Sequence, residues 1–237
     1  MTHCKYSLVI PCYNEEGNIE NLTTKCKQLF SNSIYEIIFV DNGSSDETHN
    51  LLYKKTRNIS NFRIHRIKNN IGIGHGIYEG LKLANGSILG WTHGDLQTDP
   101  SDVLKAFNIA AKHSGKVFIK GRRSYKNRSF FESFFTIGMS FFETALHFKY
   151  FWDINAQPNI FSKDFFLSLK NPPGNYLIDL FFYNHAISSN VKIVRFKVQF
   201  KKRYSGNSKW NTSISKKFMF ILNTVIYSLK LRFLKII

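Results

Sequence analysis

Residues 87–100 read SILGWTHGDLQTDP, and how this stretch is understood decides the fold. A short apolar run (Ile88, Leu89, Trp91) stops at His93-Gly94-Asp95, and Gln97, Asp99 and Pro100 follow. An apolar run that ends in glycine and carboxylates predicts a buried strand giving way to a loop. Ligands of open α/β sheets bind beyond the carboxyl ends of strands, which puts Asp95 and Gln97 where chemistry is done. Their oxygens suit a hard divalent cation better than zinc. The same residues also fit a plainer role, an aspartate capping a helix that starts near Pro100.

Towards the N-terminus, strands and helices alternate. Tyr6 to Ile10 is a compact strand ended by Pro11, and residues 14–18 (NEEGN) open a helix running towards Phe30. Tyr35 to Val40 is a second strand; the turn-forming DNGSSD at 41–46 leads to a helix over Thr48 to Arg57, and Phe62 to Ile67 is a third, weaker strand. Residues 70–76 (NIGIGHG) form a glycine-rich loop into a helix from Ile77 to Leu83, without the GxGxxG spacing of a dinucleotide site. Beyond strand Ile88–His93 come a helix, Ser101 to His113, and a strand, Val117 to Lys120. This alternation predicts an α/β fold with a mostly parallel central sheet and helices on both faces.

After Gly121 the character changes. On a helical wheel, Phe130 to Phe148 gathers Glu132, Ser133, Thr136, Ser140, Glu143, Thr144 and His147 on one arc and apolar side chains, mostly Phe, over more than half the circumference. A surface helix needs an apolar stripe only ~100° wide, so this one has apolar surface to spare for the core, for lipid or for a partner. Residues 153–162 (DINAQPNIFS) are a loop into a strand, Leu177 to Ser188 a helix carrying Asp179, and Val191 to Phe200 an alternating strand. A basic loop, Lys201 to Trp210, precedes a last amphipathic helix, Ser215 to Leu231.

Composition narrows the function. With 43% hydrophobic residues among 237, the chain can bury a substantial core. Three cysteines without a CxxC pair argue against a disulfide framework or a zinc site and imply a reducing setting. The first residues lack a signal-peptide pattern, and no apolar stretch reaches the ~18 residues of a membrane span. A net charge of +17 calls for anionic partners (nucleotide phosphates, an acidic membrane surface or nucleic acid), although biased codon usage would also produce it. No nucleic-acid-binding motif accompanies the charge, so no nucleic-acid partner is expected.

Six segments in order, LVIPCYNEEGNI, IIFVDNGSSDET, NNIGIGHGIYEGLKLANG, WTHGDLQTDP, KGRR with DINAQPNIFS, and RYSGNSKW, resemble family 2 glycosyltransferases of the GT-A fold. The polyprenyl-phosphate (dolichyl-phosphate) mannosyl- and glucosyltransferase branch is the most similar. The resemblance covers nearly the whole chain. It implies a GT-A domain over 1–210, with 1–120 for the nucleotide and 121–210 for the acceptor, followed by a membrane-surface helix over 211–237. Two positions depart from the family pattern: His93 stands for the first Asp of Asp-x-Asp, and Asn42 for the second Asp of VDD.

The resemblance implies an inverting transfer of a hexose from a GDP- or UDP-linked donor to a polyprenyl phosphate. Asp95 and Gln97 would hold Mg²⁺ or Mn²⁺, with His93 favouring the softer Mn²⁺. Pro11, Tyr13, Glu15, Asp41, Gly72, Gly74 and Asp95 would surround the nucleotide. Arg122, Arg203 and Lys209 would bind phosphates, and a hydroxyl acceptor would in addition need a base, Asp153 or Asp179. The implied location is cytoplasmic, peripheral at a membrane's cytoplasmic face, with room for a separate membrane-protein subunit. A saccharide-hydroxyl acceptor in surface-polysaccharide synthesis, and a non-catalytic binding subunit, stay open as alternatives.

Overall fold

The computed structural model describes residues 4–114, 116–124, 130–206 and 214–234. Its centre is a seven-stranded sheet built from β1 (Tyr6–Cys12), β2 (Tyr35–Asn42), β3 (Phe62–Ile67), β4 (Ile88–Trp91), β5 (Val117–Arg123), β6 (Asn159–Ser162) and β7 (Lys192–Val198). The strand order is β3-β2-β1-β4-β6-β5-β7. β6 runs antiparallel to β4 and β5, while the other pairings are parallel. The α/β fold with a mostly parallel sheet, expected from the alternation, is what the chain adopts.

Side-chain alternation along the strands feeds two cores. Val9, Ile38, Val40, Leu89, Trp91 and Phe118 face α3 (Ile73–Lys82) and α7 (Ile178–Ser188), meeting Ile77, Leu81, Phe181 and Phe182. Leu8, Ile10, Ile37, Phe39 and Ile119 face the other way, onto Ile19 and Leu22 of α1 (Glu16–Leu29), Leu52 of α2 (Thr48–Thr56) and Phe107 of α4 (Pro100–Lys112). Trp91, fully buried, packs edge-on against Phe161 and Phe182. Burying each such large ring contributes on the order of 2–3 kcal/mol.

Three local differences from the sequence reading have physical causes. The glycine-rich segment is not all loop, because α3 starts at Ile73, directly after Gly72 at φ 137°. Gly74 lies inside that helix, at a point where a Cβ would strike the backbone of Pro173 and Asn175. Strand β5 continues to Arg123, three residues beyond the expected end at Lys120, held in register by β7 (Lys120↔Arg195 to Arg123↔Val198).

The third difference is the largest. α5 (Phe130–His147) packs against α8 (Ile214–Phe233), and both are inside-out. The buried seam is polar: Ser228 Oγ donates to Glu143 Oε1, His147 Nε2 lies 3.3 Å from Glu143 Oε2, and Ser140 and Thr224 are also buried. The outer face is apolar, with Phe134, Phe141, Phe218 and Phe233 61–75% exposed. Among the described residues no helix is long and apolar enough to cross a membrane.

Candidate functional site

The order β2-β1-β4 places the end of β1 beside the end of β4, where the direction of sheet building reverses. Such switch points open a crevice at the carboxyl ends of strands. A cavity of about 680 Å³ lies there. Pro11, Tyr13, Asn14, Glu15, Asn42, Asn70 and Gly72 line it from the β1, β2 and β3 ends, and His93, Gly94, Asp95 and Gln97 from the β4 end. Arg123, Asp179 and Arg203 add charge, while Phe135 and Met139 of α5, Tyr176, Phe200, and Phe220 and Ile221 of α8 contribute apolar surface.

The loop after β4 is a tight turn around Asp95. Leu96 between the two candidate ligands has φ 59°; Asn14 on the cavity wall has φ 52°, and Asp153, buried beside Arg123, has φ 44°. Backbone held in this region by a non-glycine residue costs on the order of 1 kcal/mol or more and persists where the surroundings impose it. Asp95 is 3% exposed; its Oδ1 accepts from the Gln97 N–H at 3.0 Å and its Oδ2 lies 2.9 Å from Arg203 Nη2. The plainer capping role belongs to Asp99, whose Oδ1 accepts from the Ser101 N–H at 3.1 Å at the start of α4.

Arg203 reaches Asp95 on a strap that follows β7. Thr98 bridges Phe200, the Lys201 N–H donates to Gln97 O at 2.8 Å, and Gln97 Nε2 donates to Lys201 O at 3.2 Å. Arg203 Nη1 also lies 3.5 Å from Glu15 Oε1, so one guanidinium spans two cavity carboxylates. Burial pushes the Glu15 carboxyl up; the hydrogen bond from Asn18 opposes this and the charge of Asp95 adds to it.

A divalent cation fits this setting only with help from a ligand. Among the described residues no three His, Cys, Asp or Glu side chains converge. The chain offers one carboxylate at Asp95, with the His93 imidazole and Gln97 carboxamide also on the cavity wall. A hard cation that takes about six oxygens would need diphosphate and water oxygens besides Asp95 and Gln97. The guanidinium on Asp95 Oδ2 marks that oxygen as a place where positive charge is stabilised.

The remaining expected site residues divide. Pro11, Tyr13, Glu15, Gly72, Asp95, Gln97 and Arg203 come together around the cavity. Asp41 is fully buried and does not line it: Oδ1 accepts from the Ser44 N–H at 2.9 Å, and Oδ2 lies 3.2 Å from His49 Nδ1 and 3.3 Å from Arg66 Nε. Its neighbour Asn42 lines the wall instead and donates to Gly72 O at 3.0 Å. Gly74 packs against residues 173–175 rather than lining the cavity. Lys209 lies outside the described residues.

Arg122 is not among the residues that line the cavity. It is exposed, and Arg123, one residue on, lines the cavity. Successive strand side chains alternate between faces, so a one-residue difference moves the guanidinium across the sheet. Asp153 is not an open base either. It is buried and takes the Arg123 N–H at 2.8 Å on Oδ2, and Arg123 Nε at 2.8 Å and Nη2 at 2.5 Å on Oδ1. Burial would raise its carboxyl, but the Arg123 charge and hydrogen bonds hold it below the ordinary carboxylate range. Arg123 also stacks over the Phe200 ring at 5.2 Å. The sequence carried a signal for Arg123, the KGRR run at a strand end, but not for its pairing with Asp153.

A family model described as Glycosyl transferase family 2 matches residues 7–166. The undecaprenyl-phosphate 4-deoxy-4-formamido-L-arabinose transferase of Photorhabdus laumondii subsp. laumondii is 33% identical over 132 residues, which is 54% of this chain and 39% of that protein. The uncharacterized glycosyltransferase YkcC of Bacillus subtilis is 28% identical over 131 residues, 50% of this chain and 41% of its own. The chain thus spans less than half the length of these curated relatives. Among solved structures, glucosyl-3-phosphoglycerate synthase from Mycobacterium tuberculosis with Mn²⁺, UDP-glucose and phosphoglyceric acid superposes with a TM-score of 0.75 at 16% identity, over 96% of this chain and 79% of that one. The same enzyme with Mg²⁺ and UDP gives 0.72 at 16% identity, with the same coverage. At that identity the likeness shows the fold alone.

Proposed function

The chain belongs to glycosyl transferase family 2, and we propose that it transfers a sugar, a hexose on our reading, from a nucleoside diphosphate to a polyprenyl phosphate with inversion. The observation that carries this reading is the two-sided character of one cavity. Polar loops from β1, β2 and β4 line part of it, and apolar residues from the inside-out pair α5 and α8 line another part. A sugar nucleotide needs the first and a lipid phosphate needs the second.

On this reading the donor's base and ribose lie against Pro11, Tyr13, Glu15 and Asn42, and its diphosphate lies towards Asp95. Asp95 and Gln97 would hold Mg²⁺ or Mn²⁺, which when bound supplies positive charge against the leaving diphosphate. Arg203 exchanges its carboxylate partners for phosphate oxygens, which a guanidinium binds bidentately. Arg123, fixed by Asp153, offsets the repulsion between donor and acceptor phosphates. An acceptor phosphate is already ionised near neutral pH, so its oxygen attacks the anomeric carbon without a strong base.

The lipid tail leaves past Phe135, Met139, Phe220 and Ile221. A helix pair that buries serine, threonine and glutamate and turns phenylalanine outward matches an apolar surrounding, where polar seams hold helices together. Lys230 and Arg232 in the last turn of α8 suit anionic head groups. We therefore place the protein at a membrane surface, seated by α5 and α8. The donor half of the reading is tested by calorimetric titration with UDP, GDP and their hexose conjugates in the presence of Mn²⁺. Saturable binding of one conjugate that Asp95→Ala removes is expected, and no binding by any of them would refute the reading.

A further inference from the structure

Lys120 follows the apolar run of β5 and is nevertheless fully buried. Its ammonium donates to Ala156 O at 2.8 Å and to Asn159 Oδ1 at 2.7 Å, and lies over the Tyr183 ring at 5.6 Å. Asn159, also fully buried, uses its other end to donate from Nδ2 to Asp179 Oδ1 at 2.8 Å. Lys120 Nζ itself stands 3.6 Å from that oxygen. The chain from ammonium through carboxamide to carboxylate therefore ends on a residue that lines the cavity.

Burying an ammonium costs several kcal/mol, and an apolar residue of similar volume is often as stabilising or more so. Stability alone does not account for lysine here. Burial pushes the ammonium down, to about 8, against the opposing pull of Asp179. It thus stays mainly protonated at neutral pH and faces a carboxylate. Asp179 sits in the first turn of α7, where the helix dipole also favours negative charge.

The other cavity carboxylates are engaged: Asp95 by Arg203 and Gln97, Glu15 by Arg203 and Asn18. Asp179 differs, because both of its contacts use Oδ1 and Oδ2 has no partner among the described residues. An open carboxylate oxygen repels phosphate and accepts from a hydroxyl. On the reading that the donor is a sugar nucleotide, we propose that Lys120 is a positioning residue: acting through Asn159, it fixes Asp179 so that Oδ2 accepts a hydroxyl of the sugar being transferred.

The test compares a nucleoside diphosphate with its sugar conjugate. UDP, UDP-glucose, GDP and GDP-mannose are titrated calorimetrically with Mn²⁺ into wild type, Lys120→Met, Asp179→Asn and the double variant. Lys120→Met is expected to bind the bare diphosphate within twofold of wild type and the sugar conjugate about tenfold more weakly, the scale of one hydrogen bond to a charged group. Asp179→Asn should lose the same increment, and the double variant should be no weaker than Asp179→Asn alone. Asn159→Leu cuts the chain one residue later and is expected to give the same sugar-specific loss if Lys120→Met fails to fold. Equal weakening of diphosphate and conjugate, or an intact sugar increment, overturns the assignment. Absence of binding by wild type to all four ligands instead overturns the donor reading, and the assignment with it.

Discussion

Substituting Asp153 by asparagine removes one negative charge and keeps the shape. In the native site this carboxylate receives three hydrogen bonds from Arg123, and the pair's side chains are 2% and 12% exposed. Asparagine can accept on one oxygen only, and its amide N–H would face a guanidinium that cannot accept a hydrogen bond. Arg195, which donates to Asp153 O at 3.3 Å, brings a second positive charge close by. Breaking a buried pair and leaving its partner uncompensated costs about 3–5 kcal/mol. For a chain of this size each kcal/mol is worth about 2–4 °C, so Asp153→Asn should lower Tm by roughly 6–20 °C. The pH dependence has a definite sign. Because the folded carboxyl is held below its unfolded value, its stabilisation is complete above the unfolded carboxylate range, about pH 4, and is lost as pH falls through the folded value. Calorimetry from pH 4 to 8 should show a gap between wild type and variant that is constant from pH 8 to 5 and narrows only below. A Tm within 2 °C of wild type at pH 7, or a gap that already closes between pH 7 and 5, would refute the reasoning.

Other perturbations follow from the same geometry. Arg203 lies on Asp95 and Glu15 where a cation would compete with it, so Arg203→Gln should bind Mn²⁺ alone about tenfold more tightly, or ~1.4 kcal/mol; titration of the free Mn²⁺ paramagnetic resonance signal measures this, and weaker binding would contradict it. Phe134→Glu with Phe141→Glu should reduce co-flotation with anionic vesicles by tenfold or more, each ring contributing about 1.5–3 kcal/mol when buried; unchanged flotation would remove α5 from the membrane seat. The Lys120 ammonium is depressed to about 8 in the folded chain, so the unfolded chain binds more protons between roughly pH 8 and 10.5. Lysine's burial penalty is thus full below pH 8 and relieved above it. The stability of wild type relative to Lys120→Met, measured by urea unfolding, should therefore rise from pH 7 to 10, and a fall over that range would contradict the assignment.

The sheet was legible because its signals are local: short apolar runs, turn residues after them, and helical periodicity between. The Asp95 loop was legible for the same reason, as a strand ending in glycine and carboxylates. What the sequence left illegible depended on parity or on partners far along the chain. Arg122 and Arg123 differ only by which side of β5 they occupy, and the register that settles it comes from β7, about seventy residues later in sequence. The wheel of α5 separates polar from apolar arcs but does not say which is inside. That answer comes from Ser228 on α8 meeting Glu143. Asp41 reads as a nucleotide contact from its motif, yet His49 and Arg66 enclose it. Lys120 carried no signal, because a lysine after an apolar run looks like the end of a strand.

The most direct measurement is transfer itself. The 237-residue chain is incubated with Mn²⁺, undecaprenyl phosphate in anionic vesicles and each of a panel of labelled UDP- and GDP-hexoses. The account predicts that one donor yields a lipid-soluble, mild-acid-labile product, and that Asp95→Ala lowers its formation by at least about a hundredfold, the scale of losing a group that stabilises developing charge. Label that never enters the lipid phase with any donor, or an Asp95→Ala variant of near-normal activity, would contradict it.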